Sequence, residues 1–237
     1  MRSIASMTLL ALCALIGLPA SAGEPAHVTF APVPPGTVVT SKVVYLAGEA
    51  MHSQWRAVLS KRRLGAAYGQ TSYQWYLSIY AISGATYHLR YQSPRDGAPL
   101  ARVTKANGSP TMWFPMQDAS IVGAAELMQP GVQQLVFQSH QTGADCGTAN
   151  ITIFTTNGKT GKVVPAVSIE NGCELNATIV HGKRGDAVQL TGPYYSPSAA
   201  LCCPTKPKAT ATLRYRNGAW VETPKYFTFY PRRFSPM

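Results

Sequence analysis

The stretch VVPAVSIENGCELNATIV, residues 163–180, carries the clearest fold signal in the chain. Two strand-like runs, Val163 to Ile169 and Leu175 to Val180, flank Asn171-Gly172. Asn-Gly is favoured in the tightest hairpin turn, where both central residues need positive φ. The same dipeptide recurs at Asn107-Gly108, Asn157-Gly158 and Asn217-Gly218. Ile151 to Phe154 precedes the 157–158 pair, and Thr210 to Arg216 and Ala219-Trp220-Val221 bracket the last. Three of the four dipeptides thus sit in strand context, which points to antiparallel hairpins.

The N-terminal half agrees. Tyr73, Trp75, Leu77, Ile79 and Ala81 share one face of a period-two pattern, and Tyr87, Leu89 and Tyr91 repeat it with His88 and Arg90 opposite. Two segments read as short helices. Ser53 to Leu64 places Trp55, Val58, Leu59 and Arg62 at helical spacing behind a Ser53 cap, and Ser120 to Met128 is Ala-rich and stopped by Pro130-Gly131. The expected fold is all-β, an antiparallel hairpin-built sandwich with one or two short helices.

Residues 1–22 read as a signal for export. Met1-Arg2 gives a positive start, Met7 to Leu18 is an apolar run too short to span a bilayer, and Ala20-Ser21-Ala22 is a small-x-small cleavage pattern. Cleavage near Ala22 leaves a secreted or periplasmic chain without a transmembrane span. Two β regions follow, 23–129 and 130–237, with Pro130-Gly131 as the boundary and a shared core as the alternative to separate modules. The formal net charge is +11, or +10 once Arg2 is removed. Such a charge draws a protein toward anionic surfaces. With 46% hydrophobic and 13% charged residues, the chain has enough apolar content for a sizeable core.

The exported portion holds Cys146, Cys173, Cys202 and Cys203, all in its second half. An even number in an oxidising compartment points to disulfides. Adjacent Cα atoms lie about 3.8 Å apart, below the usual disulfide span, so geometry favours Cys146 and Cys173 each taking one of Cys202 and Cys203. Cys146–Cys173 with a strained Cys202–Cys203 link is the other solution. Zinc is disfavoured because Cys202-Cys203 lacks a two-residue spacer and no histidine cluster lies near. No metal or cofactor is expected.

Gly192 to Thr205, ending in Leu201-Cys202-Cys203-Pro204-Thr205, together with the basic strand Ala209 to Arg216 and the turn to Trp220, resembles exported bacterial proteins of the LppP/LprE lipoprotein type. The resemblance covers roughly residues 130–223. It implies an envelope location, a small β module and a vicinal Cys202–Cys203 link. The chain departs from that pattern in having no lipid-attachment cysteine.

No catalytic motif stands out. Gly-x-Ser-x-Gly, Ser-x-x-Lys, His-Glu-x-x-His, a Walker loop and Gly-x-Gly-x-x-Gly are all missing. Of the five histidines, His140 lies just before Gly143-Ala144-Asp145-Cys146, so a His140/Asp145 dyad is the candidate for a secreted hydrolase. The sharper candidate is a basic surface. Lys61-Arg62-Arg63 near Trp55 and Tyr68, with Arg90, Arg214 and Arg216 on strands, mixes cations and aromatics as anion-binding faces do. Export disfavours nucleic acid and favours an anionic envelope polymer or another envelope protein. The leading expectation is a non-catalytic structural or ligand-binding protein of a bacterial cell envelope. A carbohydrate-binding or inhibitor module is a further alternative, which exposed Trp55, Trp75, Trp113 and Trp220 would favour.

Overall fold

A computed structural model describes residues 28–46, 53–67, 70–93, 116–141, 148–157, 160–183, 185–196 and 204–227. They form thirteen strands in three sheets and no helix. The first sheet runs β1 (Thr29–Ala31), β5 (Thr86–Ser93), β4 (Gln70–Ser83), β3 (Ser53–Ala67), β2 (Thr37–Leu46). The middle sheet runs β6 (Met116–Gln129), β7 (Val132–Gln141), β8 (Thr148–Thr156), β9 (Val163–Cys173). The third runs β10 (Asn176–Val180), β11 (Ala187–Tyr194), β12 (Lys206–Arg216), β13 (Ala219–Thr223). Every pairing is antiparallel except β1 with β5.

The middle sheet is apolar on both faces because each face is covered. Ala119, Ile121, Leu135, Phe154 and Val163 pack with Val44, Trp55, Leu59, Trp75 and Leu77 of the first sheet. Val136, Ile151, Ile153, Val167 and Ile169 pack the other way, against Leu175, Val188, Leu190, Ala211 and Leu213 of the third region. The result is a sandwich of sheets with an additional layer. Residues on both sides of Pro130-Gly131 share the first of these cores, and that dipeptide itself is the β6–β7 hairpin turn, with Gln129 opposite Val132 and Gly131 at φ 77°.

Both expected helices are strands. Ser53 to Leu64 lies in β3, where Trp55, Ala57 and Leu59 are buried in the core shared with the middle sheet while Val58 and Ser60 are buried on the opposite face. A strand buried on both faces loses its period-two signature, and its adjacent apolar residues then match helical spacing equally well. Ser120 to Met128 lies in β6, which is bulged between Met116 and Asp118, between Ile121 and Gly123, and between Ala125 and Gln129. The bulges turn its side chains toward both neighbouring sheets, which breaks the alternation. Its small residues permit close approach, for a Cβ on Gly123 would sit 2.8 Å from Ile179 Cδ1 of β10.

The stretch 163–180 also departs from expectation. Asn171-Gly172 does not turn a hairpin. It stays inside β9, with Gly172 opposite Ala149, and the chain turns at Glu174, where φ is 44°. The two runs then enter different sheets, so that Val167 and Ile169 face Leu175 and Ala177 across a core instead of pairing along a ladder. Gln138 pins this corner. Its Nε2 donates to Leu175 O at 3.1 Å and to His140 Nε2 at 2.6 Å, and its Oε1 accepts the Ala177 N–H at 2.8 Å. Asn217-Gly218 does turn a hairpin, as a two-residue turn with both φ positive, 51° and 81°. Asn157 opens the loop between β8 and β9, where the Lys162 carbonyl accepts the Asn157 N–H, and Gly158 lies outside the described residues. Asn107-Gly108 lies outside the described residues.

Candidate functional site

The structure disperses the basic residues named from the sequence. Lys61, Arg62 and Arg63 share the second half of β3, where the Lys61 ammonium sits 4.5 Å from the Tyr73 ring centre and 5.3 Å from that of Trp75. The Arg62 guanidinium sits 5.4 Å from the Tyr76 ring. These cations rest on aromatic faces of the neighbouring strand β4, an interaction worth about 0.5–1 kcal/mol at exposed sites. Arg90 lies on β5 of the same sheet, and Arg214 and Arg216 lie on β12 of the third sheet. The six therefore come from two different sheets.

Arg90 instead meets a residue that sequence reasoning missed. It is the extra residue of a β-bulge, since Tyr80 pairs with Leu89 and Ile79 with Tyr91. The bulge reverses the facing expected from strict alternation. Tyr87 and Leu89 pack beside Tyr80, whereas Tyr91 packs with the core shared by the middle sheet, its ring 4.9 Å from Phe154. Arg90 and Tyr91 thereby help line a cleft of about 750 Å³ with Leu89, Gln92, Pro32, Val33 and Pro35 of the first sheet region and Lys162 and Val163 of the middle one. Among the described residues that line it are two cationic side chains and no carboxylate.

Local chemistry shapes this cleft. Lys162 is positioned by the Asn157 loop, in which Asn157 Oδ1 also accepts the Thr160 N–H at 3.2 Å. The Pro32 wall is fixed by Tyr80, whose hydroxyl donates to Pro32 O at 3.1 Å. Burial pushes the Tyr80 phenol above its ordinary value of 10.0. Pro32 and Pro35 restrict this wall, since proline fixes φ and removes the backbone donor. Neither Arg90 nor Lys162 has a side-chain hydrogen bond or ion pair among the described residues. Their charges face a volume that lies within the range of small-ligand sites.

Arg214 and Arg216 line a second, smaller cleft beside Glu126 and Asp186. The dyad considered from the sequence is not formed by described residues. Asp145 lies outside them, and His140 Nε2 accepts from Gln138. The His–Asp contact that is present joins His181 Nδ1 to Asp186 Oδ1 at 2.8 Å, with His181 73% exposed. Cys173 ends β9 opposite Thr148, while Cys146, Cys202 and Cys203 lie outside the described residues. Trp55 and Trp75 are buried, Trp220 is half-buried, and Trp113 lies outside the described residues.

Among the described residues no group of three or more His, Cys, Asp and Glu side chains is placed to hold a metal ion, and no helix is long and apolar enough to cross a membrane. No family model, curated protein or solved structure matches this chain.

Proposed function

We propose that this chain is an exported, non-catalytic binding protein that holds an anionic, partly apolar ligand in the cleft between the first and middle sheets. The observation that carries the reading is the convergence of Arg90 and Lys162, from two sheets, on one cleft with no carboxylate among its described lining residues. Positive charge lining a cleft concentrates anions, and arginine pairs well with phosphate or carboxylate oxygens. Leu89, Tyr91, Val33 and Val163 supply apolar walls for the rest of the ligand. The overall charge of +11 favours the same class of ligand at longer range. The export signal at residues 1–22, the four cysteines beyond it and the Cys-Cys-Pro resemblance support a bacterial envelope setting.

Calorimetric titration with octyl phosphate, and with the neutral octyl glucoside as control, tests the reading. Octyl phosphate should bind with an affinity that falls as salt rises. Arg90→Gln with Lys162→Gln should weaken it at least tenfold, since a hydrogen bond to a charged group is worth about 1.5–3 kcal/mol. Equal binding of the glucoside, or an unaltered affinity in the double variant, overturns the proposal. Glycan recognition is less well supported, because two of the three described tryptophans are buried.

A further inference from the structure

The second cleft has a different charge pattern from the first. It has a volume of about 310 Å³ and lies between the Pro130 turn, the Gly185-Asp186 segment before β11 and the end of β12. Two acids, Glu126 and Asp186, and two arginines, Arg214 and Arg216, line it, so the charge of its described lining residues is balanced.

Some of these groups are already engaged. Asp186 uses one carboxylate oxygen on His181 Nδ1 at 2.8 Å and the other on the Glu126 N–H at 3.1 Å. Arg214 Nη1 donates to Gly185 O at 3.1 Å, which fixes its guanidinium at the rim with further N–H groups to spare. The neighbouring backbone donors Leu127 N and Met128 N are both taken by Gln134 Oε1, at 2.7 and 2.9 Å. Two charges of opposite sign remain, the Glu126 carboxylate and the Arg216 guanidinium. Neither has a side-chain partner among the described residues, and they do not pair with each other.

We infer that this cleft binds a small zwitterion, an ammonium and a carboxylate carried on one molecule of amino-acid or dipeptide size. Arg216, with the free edge of Arg214, receives the carboxylate, and Glu126 receives the ammonium. A lone anion or a lone cation gains less, because a recess of zero net charge concentrates neither sign. With its backbone N–H groups spent, the cleft recognises the carboxylate through arginine alone. The inference is independent of the Arg90–Lys162 site.

Glycylglycine, N-acetylglycylglycine and glycylglycinamide serve as probes on the full chain, with binding read from amide shifts in two-dimensional NMR. Glycylglycine should give saturable shifts confined to residues 126–130, 185–186 and 214–216. Each capped analogue, lacking one charge, should bind at least tenfold more weakly. Arg216→Gln should remove the penalty for losing the carboxylate and Glu126→Gln that for losing the ammonium. Both positions are exposed, and unchanged spectra elsewhere verify the fold. Equal binding of all three probes, a penalty for only one cap, shifts centred elsewhere or no saturable shift would each overturn the inference.

Discussion

Tyr80 shows how one side chain joins the core to the larger cleft. Its ring packs edge-on to Phe30 at 4.9 Å, and its hydroxyl holds the proline wall through Pro32 O. Burial raises its pKa, so the folded state retains the phenol proton more tightly than the unfolded chain does. That stabilisation is fully present below the ordinary value of 10.0 and is lost as pH rises through the higher folded value. Tyr80→Phe should cost about 1 kcal/mol at neutral pH for the lost hydrogen bond. Above pH 10 the variant's melting temperature should fall less steeply than that of the wild type. Parallel melting profiles above pH 10 would remove Tyr80 from this role. Aromatic alternation made Tyr73 to Ala81 legible as one face of a strand. It misplaced Tyr91 because a single extra residue, Arg90, reverses the facing beyond it.

At the scale of elements, the sequence was most legible where a local conformation sufficed. Asn217-Gly218 turns its hairpin because its two residues supply both positive φ values. Asn171-Gly172 carries the same chemistry but stays in β9, because continued pairing with β8 and burial of Leu175 and Ala177 opposite Val167 and Ile169 prevail over a local turn preference. Long-range packing likewise decides β3, whose helix-like spacing comes from burial on both faces, and β6, whose bulges carry Ala119 and Ile121 to one core and Ala125 and Leu127 to the other. The entry into β2 depends on one glycine that the reading passed over. Gly36 has φ 69°, and a Cβ there would lie 2.4 Å from the Lys61 carbonyl oxygen of β3. Gly36→Ala combines an unfavourable φ with a backbone clash and should destabilise the fold by about 2 kcal/mol or more in chemical denaturation. A change below about 0.5 kcal/mol would mean that the β2–β3 edge is looser than this register requires.

On the scale of the whole molecule, the two clefts differ because three sheets meet at two separate junctions. The first sheet and the middle one bring together Arg90 and Lys162, which lie 72 positions apart in sequence. The middle sheet and the third bring together Glu126 and Arg216, 90 positions apart. Sequence reading named Arg90, Arg214 and Arg216 but not the residues that distinguish their settings. Lys162 sits in an ordinary loop and Glu126 in a segment read as helical, so neither carried a local signal. The most direct measurement is an NMR titration of the full chain with octyl phosphate. The predicted result is a saturable footprint on the amides of residues 89–92 and 162–163, with residues 126–130 and 214–216 unmoved. A footprint spread over Lys61 to Arg63 and the other exposed cations, or none at residues 89–92 and 162–163, would contradict a dedicated anion site between the first two sheets.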